Sequence, residues 1–130
     1  RTVLDRMVER NTGHIVNIGS VAGIQAYTAC AAYAASKHAV HGLSETLRLD
    51  YGATGIKVSE VLPGMVETEF AATRFGDEKR GQEYYRDFGV CLKPEDIARS
   101  VRFVLDQPSD VVIAQIVVVP TQRAQALSAD

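Results

Sequence analysis

The chain has 130 residues, 46% of them hydrophobic and 23% charged, with a formal net charge of -2. That length and balance fit one modest globular domain. The near-neutral charge and the lack of aromatic residues interleaved with Lys/Arg runs argue against a nucleic-acid partner, and no apolar stretch approaches the roughly 20 residues of a membrane span.

The chain opens on Arg1 rather than Met, and it opens in mid-helix. Residues 1–10 read as an amphipathic helix, with Val3, Leu4 and Met7 on one face, and not as a signal peptide. A piece of a longer polypeptide is therefore expected. After Asn11-Thr12-Gly13, residues 14–19 (HIVNIG) are short, β-branched and apolar, as in a buried strand, and residues 21–27 read as loop. Residues 28–51 are Ala-rich, with Val40, Leu43, Leu47 and Leu49 among the apolar positions of a helix that Gly52 and Gly55 end. Residues 56–62 (IKVSEVL) predict a second strand, stopped by Pro63-Gly64. Residues 66–90 are polar and dotted with aromatics, without a clean period, and read as an irregular insert. Pro94 opens a helix with Glu95 and Asp96 in its first turn, where the helix dipole favours negative charge. Ile97, Val101, Val104 and Leu105 form its apolar stripe. Residues 111–119 predict a third strand, stopped by Pro120, and residues 123–130 a mobile tail.

Helices and strands alternating in this way argue for a parallel sheet with right-handed crossovers. Continuous apolar strands argue for burial on both sheet faces. Three strands with helices on both faces make the C-terminal half of a Rossmann-like, doubly wound α/β sheet, which is built from two halves.

Ligands of such sheets bind beyond the carboxyl ends of the strands. Ser20 follows the first predicted strand, and Pro63 to Thr68 follow the second. Tyr33 and Lys37 sit in the opening turns of the helix that returns from the same edge. Four apart, they share a helix face. A free tyrosine is a poor general base near neutral pH, and a neighbouring ammonium stabilises its phenolate. The Ser20 hydroxyl can donate and accept, which suits it to hold a carbonyl or alcohol oxygen. Each residue taken singly has a structural reading, as turn former or helix surface; together at one edge they point to proton transfer.

The segments GHIVNIGSVAG (residues 13–23), YAASK (33–37) and PGMVET (63–68) resemble the C-terminal half of the short-chain dehydrogenase/reductase family. The resemblance includes the thirteen-residue step from Ser20 to Tyr33, the Tyr-x-x-x-Lys pair, and the threonine four after Gly64. It implies an NAD(P)-dependent oxidoreductase that interconverts an alcohol and a carbonyl. Tyr33 would be the general acid/base, Lys37 its partner and a ligand of the nicotinamide ribose, and Ser20 the holder of the substrate oxygen. Pro63, Gly64, Val66 and Thr68 would line the nicotinamide end of the cofactor. The family's glycine-rich turn, its Asn-Asn-Ala-Gly segment and its catalytic asparagine belong to an N-terminal half with no counterpart here, so residues 1–130 alone are expected not to turn over.

The resemblance also places a substrate lid at about residues 67–92, with Phe70, Phe75, Tyr84, Tyr85 and Phe88 covering the site or merely packing two short helices. The run EFAATRFGD (69–77), with PTQ (120–122), is similar to the branch acting on small 3-hydroxy acids such as serine or L-allo-threonine. That branch favours NADP over NAD, and Arg74 could hold the substrate carboxylate with its forked donors. A homodimer or homotetramer is implied, packed through residues 1–10 and 28–51. His38 and His41, three apart and without a completing carboxylate or cysteine, read as solvent-facing or interface residues; no metal is expected, and His14 has no evident partner. Cys30 and Cys91 form no close-spaced motif and fit a reduced, cytoplasmic protein.

Two other classes compete. A serine hydrolase built on Ser20 would need Gly-x-Ser-x-Gly, and position 18 is Ile. A truncated, inactive homologue acting only as an interaction module would not need Ser20, Tyr33 and Lys37 intact.

Overall fold

The computed structural model describes residues 2–123. Helix α1 (Thr2–Glu9) leads through Asn11, at φ 48°, into strand β1 (Gly13–Ile18). A short 3-10 turn (Val21–Gly23) and a loop precede helix α2 (Ala31–Tyr51), which is followed by strand β2 (Ile56–Pro63). Helices α3 (Phe70–Phe75), α4 (Glu78–Phe88) and α5 (Pro94–Leu105) come next, and strand β3 (Gln115–Val118) is the last. The three strands form one parallel sheet in the order β1-β2-β3, with Ile15 opposite Val58 and Val61 opposite Ile116.

Alternation along β2 shows which helix covers which face. Glu60 reaches His41 of α2, whereas Lys57, on the opposite face, donates to the carbonyls of Gln107 and Pro108 just after α5. The expected helices on both faces are therefore present. The core is thickest on β2, where Val58, Val61 and Leu62 are buried, and Val104 of α5 is buried with them.

Burial on both faces, expected of all three strands, holds for β2 only. Ile18 of β1 and Val117 of β3 stay more than 40% exposed, because each belongs to an outer strand of this three-stranded sheet. The third strand is also shorter than residues 111–119. Val111 N–H closes a turn onto the Pro108 carbonyl and the Val111 carbonyl takes the Lys57 ammonium, so the ladder with β2 starts only near Ala114. Helix α2 begins at Ala31 and not at residue 28, since Ala29 lies at φ 57°, outside right-handed helical space.

The insert at residues 66–90 holds two helices. Gly76, at φ 64°, closes α3, and the Asp77 carboxylate caps α4 by accepting from Arg80 N–H at 2.8 Å. Each helix is short and the Gly76 turn resets the phase, which hides any single period. The buried Tyr85 hydroxyl accepts from Ala71 N–H at 3.2 Å and joins the two. Of residues 123–130, Arg123 places its guanidinium 4.8 Å from the Phe88 ring; residues 124–130 lie outside the described residues.

His14 has a partner across the sheet: its Nε2 lies 2.7 Å from Ser59 Oγ. Burial first, and the Lys57 ammonium second, push its pKa below the ordinary histidine value. The folded protein therefore binds this proton less readily than the unfolded chain. Stability from His14 is complete above about pH 6.5 and is lost as pH falls through the window below it. A His14→Gln variant is expected to lose less thermal stability than the wild type between about pH 7 and about pH 5, followed by unfolding scans across that range.

Candidate active site

Ser20 stands just past β1 and is buried, 7% exposed. Its backbone is extended, and its Oγ caps the following 3-10 turn by accepting from Ala22 N–H at 3.1 Å. The same oxygen lies 3.5 Å from the Pro63 carbonyl at the end of β2. The hydroxyl is thus held between the carboxyl ends of two neighbouring strands, on the edge where open α/β sheets bind ligands.

Helix α2 returns along this edge. A Cβ at Gly23 would lie 2.7 Å from the Lys37 carbonyl, so the absence of a side chain there lets the Ser20 turn rest on the helix backbone. Lys37 Nζ donates to the Ile18 carbonyl at 3.1 Å and lies 5.8 Å from the centre of the Tyr33 ring. An ammonium carries three N–H donors, so this bond anchors it while leaving capacity for a ligand. The four-residue step therefore brings Tyr33 and Lys37 together as a helix requires.

Tyr33 packs on Phe70 of α3, ring centres 5.3 Å apart. The two rings, with Ala29, Cys30, Thr73 and Arg74, line an open groove of about 430 Å³, within the usual size range of small-ligand pockets. Arg74 donates from Nη2 to the Ala29 carbonyl at 3.0 Å, which holds its guanidinium at the rim of that groove. Tyr33 and Arg74, read from separate parts of the sequence, share one cavity. Cys30 and Cys91 are both free thiols, and among the described residues no group of three His, Cys, Asp or Glu stands close enough to hold a metal ion.

The loop after β2 is tied down at both ends. Gly64 N–H donates to the Val118 carbonyl at 2.8 Å. Met65 and Glu67 exchange backbone hydrogen bonds with Leu92, making a bridge between Val66 and Leu92. Glu67 also pairs with Lys93, and Thr68 Oγ1 accepts from Phe70 N–H at 3.2 Å to start α3. The α3–α4 pair is consequently pinned at both of its stems, at residues 64–68 and 92–93.

Sequence reasoning missed a polar cluster behind this edge. Glu60, wholly buried in the centre of β2, accepts from His41 Nδ1 at 2.8 Å. His41 is thus turned toward the sheet and not toward solvent, unlike the exposed His38. Asn17 Nδ2 donates to Ser44 Oγ at 2.9 Å, tying β1 to the same helix. The signal was present: a carboxylate inside the apolar run IKVSEVL has to find a partner if the run is a buried strand.

The chain matches the short chain dehydrogenase family model over residues 1–79. It is 40% identical over 128 residues to an NADP-dependent 3-hydroxy acid dehydrogenase of Escherichia coli, covering 97% of this chain and 51% of that protein. A protein of the same name from Schizosaccharomyces pombe is 38% identical over 127 residues, covering 97% and 49%. Among solved structures, a closed form of serine dehydrogenase complexed with NADP+ superposes with a TM-score of 0.89 at 40% identity, over 94% of this chain and 50% of that one. The chain spans about half the length of the curated relatives it matches. On the family match, the shared parallel sheet and these likenesses, the chain belongs to the short-chain dehydrogenase/reductase family.

Proposed function

We propose that this chain supplies the proton-transfer edge and substrate flap of an NADP-dependent oxidoreductase that interconverts an alcohol and a carbonyl on a small 3-hydroxy acid. The observation that carries the reading is the shared groove: Tyr33 and Arg74 line one cavity, and the Lys37 ammonium stands 5.8 Å from the centre of the Tyr33 ring. The names of the relatives, 3-hydroxy acid and serine dehydrogenases, support the same substrate class. What the chain offers fits the nicotinamide-ribose end of the cofactor. Tyr33 and Lys37 are polar partners for a ribose diol, and the Pro63 carbonyl, where residues 63–68 begin, lies beside Ser20. The adenosine end needs the glycine-rich half that residues 1–130 do not contain.

In the oxidative direction Ser20 and Tyr33 hold the substrate hydroxyl, and the Tyr33 phenolate takes its proton as the carbinol C–H bond breaks. Lys37 stands beside Tyr33, with Nζ 5.8 Å from the centre of the ring. Bound NADP supplies the ring that accepts the hydride. Phe70 and the rest of the α3–α4 flap exclude water from the reacting atoms. The half-exposed apolar residues Val8 of α1 and Leu43 of α2 fit a homodimer or homotetramer packed through these helices.

Arg74 would hold the substrate carboxylate through its remaining N–H donors. In the full-length enzyme, Arg74→Ala is expected to lower kcat/KM for serine by about ten- to hundredfold, the worth of a hydrogen-bonded charge. The rate with ethanolamine, which lacks the carboxylate, is expected to stay within about twofold of wild type, since the lost contact is one it never made. Equal losses on both substrates would remove Arg74 from carboxylate binding, and no NADP-linked oxidation of any 3-hydroxy acid would remove the reading itself.

A further inference from the structure

Behind the proposed site, one carboxylate lies between the strand end that leads to Ser20 and the helix that carries Tyr33 and Lys37. Glu60 is wholly buried, with Oε2 bonded to His41 Nδ1 at 2.8 Å. Among the described residues Oε1 has no hydrogen-bond partner. It is aimed at Gly19: a Cβ added there would lie 2.3 Å from it, and 3.1 Å from Leu62 Cδ2. Gly19 is the residue before Ser20, and its own N–H is bonded to the Val61 carbonyl at 2.8 Å. The carboxylate therefore fills the space a side chain at position 19 would take, directly under the corner that presents the Ser20 hydroxyl.

The other end of the link is on the helix that carries the proton-transfer pair. Tyr33, Lys37 and His41 follow one another at four-residue steps, so they share one face of α2. His41 lies one turn below Lys37, flanked by Glu45 at 3.7 Å from Nε2 and by Gln115 of β3 at 3.4 Å from Nδ1. The Asn17–Ser44 bond makes a second rung between sheet and helix at the same level. A buried carboxylate with one oxygen unpaired is a poor source of stability, because removing it from water costs more than a single pair returns. Its position is better accounted for by what it holds in place.

We propose that Glu60 and His41 are positioning residues for the reaction: Glu60 sets the Gly19–Ser20 corner, and His41 locks that carboxylate to the helix carrying Tyr33 and Lys37. The inference rests on Ser20, Tyr33 and Lys37 being the reacting set. It makes Gly19 and Glu60 a mutually exclusive pair of volumes, since a methyl group at 19 and the carboxylate at 60 cannot both keep their places.

The test is a cycle of Gly19→Ala, Glu60→Ala and the double variant in the full-length dehydrogenase. It reads kcat, KM for NADP, and hydrogen exchange at the Ala22 amide, which reports the Ser20 hydroxyl directly. Gly19→Ala alone is expected to lower kcat about a hundredfold, as a misplacement near 1 Å does. Glu60→Ala is expected to lower kcat about tenfold and speed Ala22 exchange, with KM for NADP within about twofold of wild type. Adding Gly19→Ala to Glu60→Ala is expected to cost little more, because the clash is gone. Independent, multiplying effects, or a Glu60→Ala enzyme with wild-type kcat and wild-type Ala22 exchange, would overturn the proposal. Should Glu60→Ala not fold, His41→Ala, at a partly exposed position, releases the carboxylate and is expected to give the same suppression of Gly19→Ala; its absence counts against the link. If the wild type turns over no substrate, the proposed reaction fails, and Ala22 exchange across the same variants still decides whether Glu60 sets the corner.

Discussion

Tyr33→Phe is expected to lower kcat for NADP-linked alcohol oxidation by about 10²- to 10⁴-fold, the usual contribution of a positioned acid/base group. The substitution removes one hydroxyl and leaves the ring on Phe70, where the centres stand 5.3 Å apart. The groove keeps its wall, so KM for the substrate should move far less than kcat. Thermal stability should stay within about 0.5 kcal/mol, as for other replacements that leave no buried group unpaired. Steady-state kinetics beside an unfolding scan separate the two effects. A variant that loses activity and folding stability together would mean the hydroxyl is structural.

Leu62→Ala is expected to destabilise the fold by about 2–5 kcal/mol, the range for truncating a buried leucine. Leu62 is fully buried on the central strand, and its Cδ2 also stands beneath Gly19. The cavity would open between β2 and the Ser20 corner, so a loss of kcat beyond the loss of folded protein should accompany it. Val90, half exposed near the end of the flap, is the contrast: Val90→Ala should change stability by no more than about 0.5 kcal/mol. Denaturant titrations of both variants check the difference, and equal costs would mean the core does not sit on β2.

The sheet was legible because the runs 14–19 and 56–62 are continuous, β-branched and bounded by glycine or proline, a pattern parallel strands need. Tyr33 and Lys37 were placed together by helical spacing alone, which any regular helix guarantees. The third strand was overextended because apolar content does not distinguish a ladder residue from Val111, whose backbone closes a turn. The insert looked irregular because α3 has only six residues and ends in a left-handed Gly76. Arg74 could be nominated, but its placement depends on the Ala29 carbonyl, exposed by a positive φ that no alanine announces. Glu60 and His41 stayed hidden because they are nineteen residues apart and meet only through the packing of α2 on β2. Local spacing was informative within an element, and tertiary contact decided everything between elements.

The most direct test follows NADPH formation from NADP and serine, first with residues 1–130 alone and then with this chain joined to a dinucleotide-binding half of its family. No turnover is expected from the chain alone, and turnover is expected from the joined protein. Turnover by the chain alone would contradict the assignment of the adenosine site to the other half. A joined, folded protein that forms no NADPH from serine or any other small 3-hydroxy acid would contradict the proposed reaction.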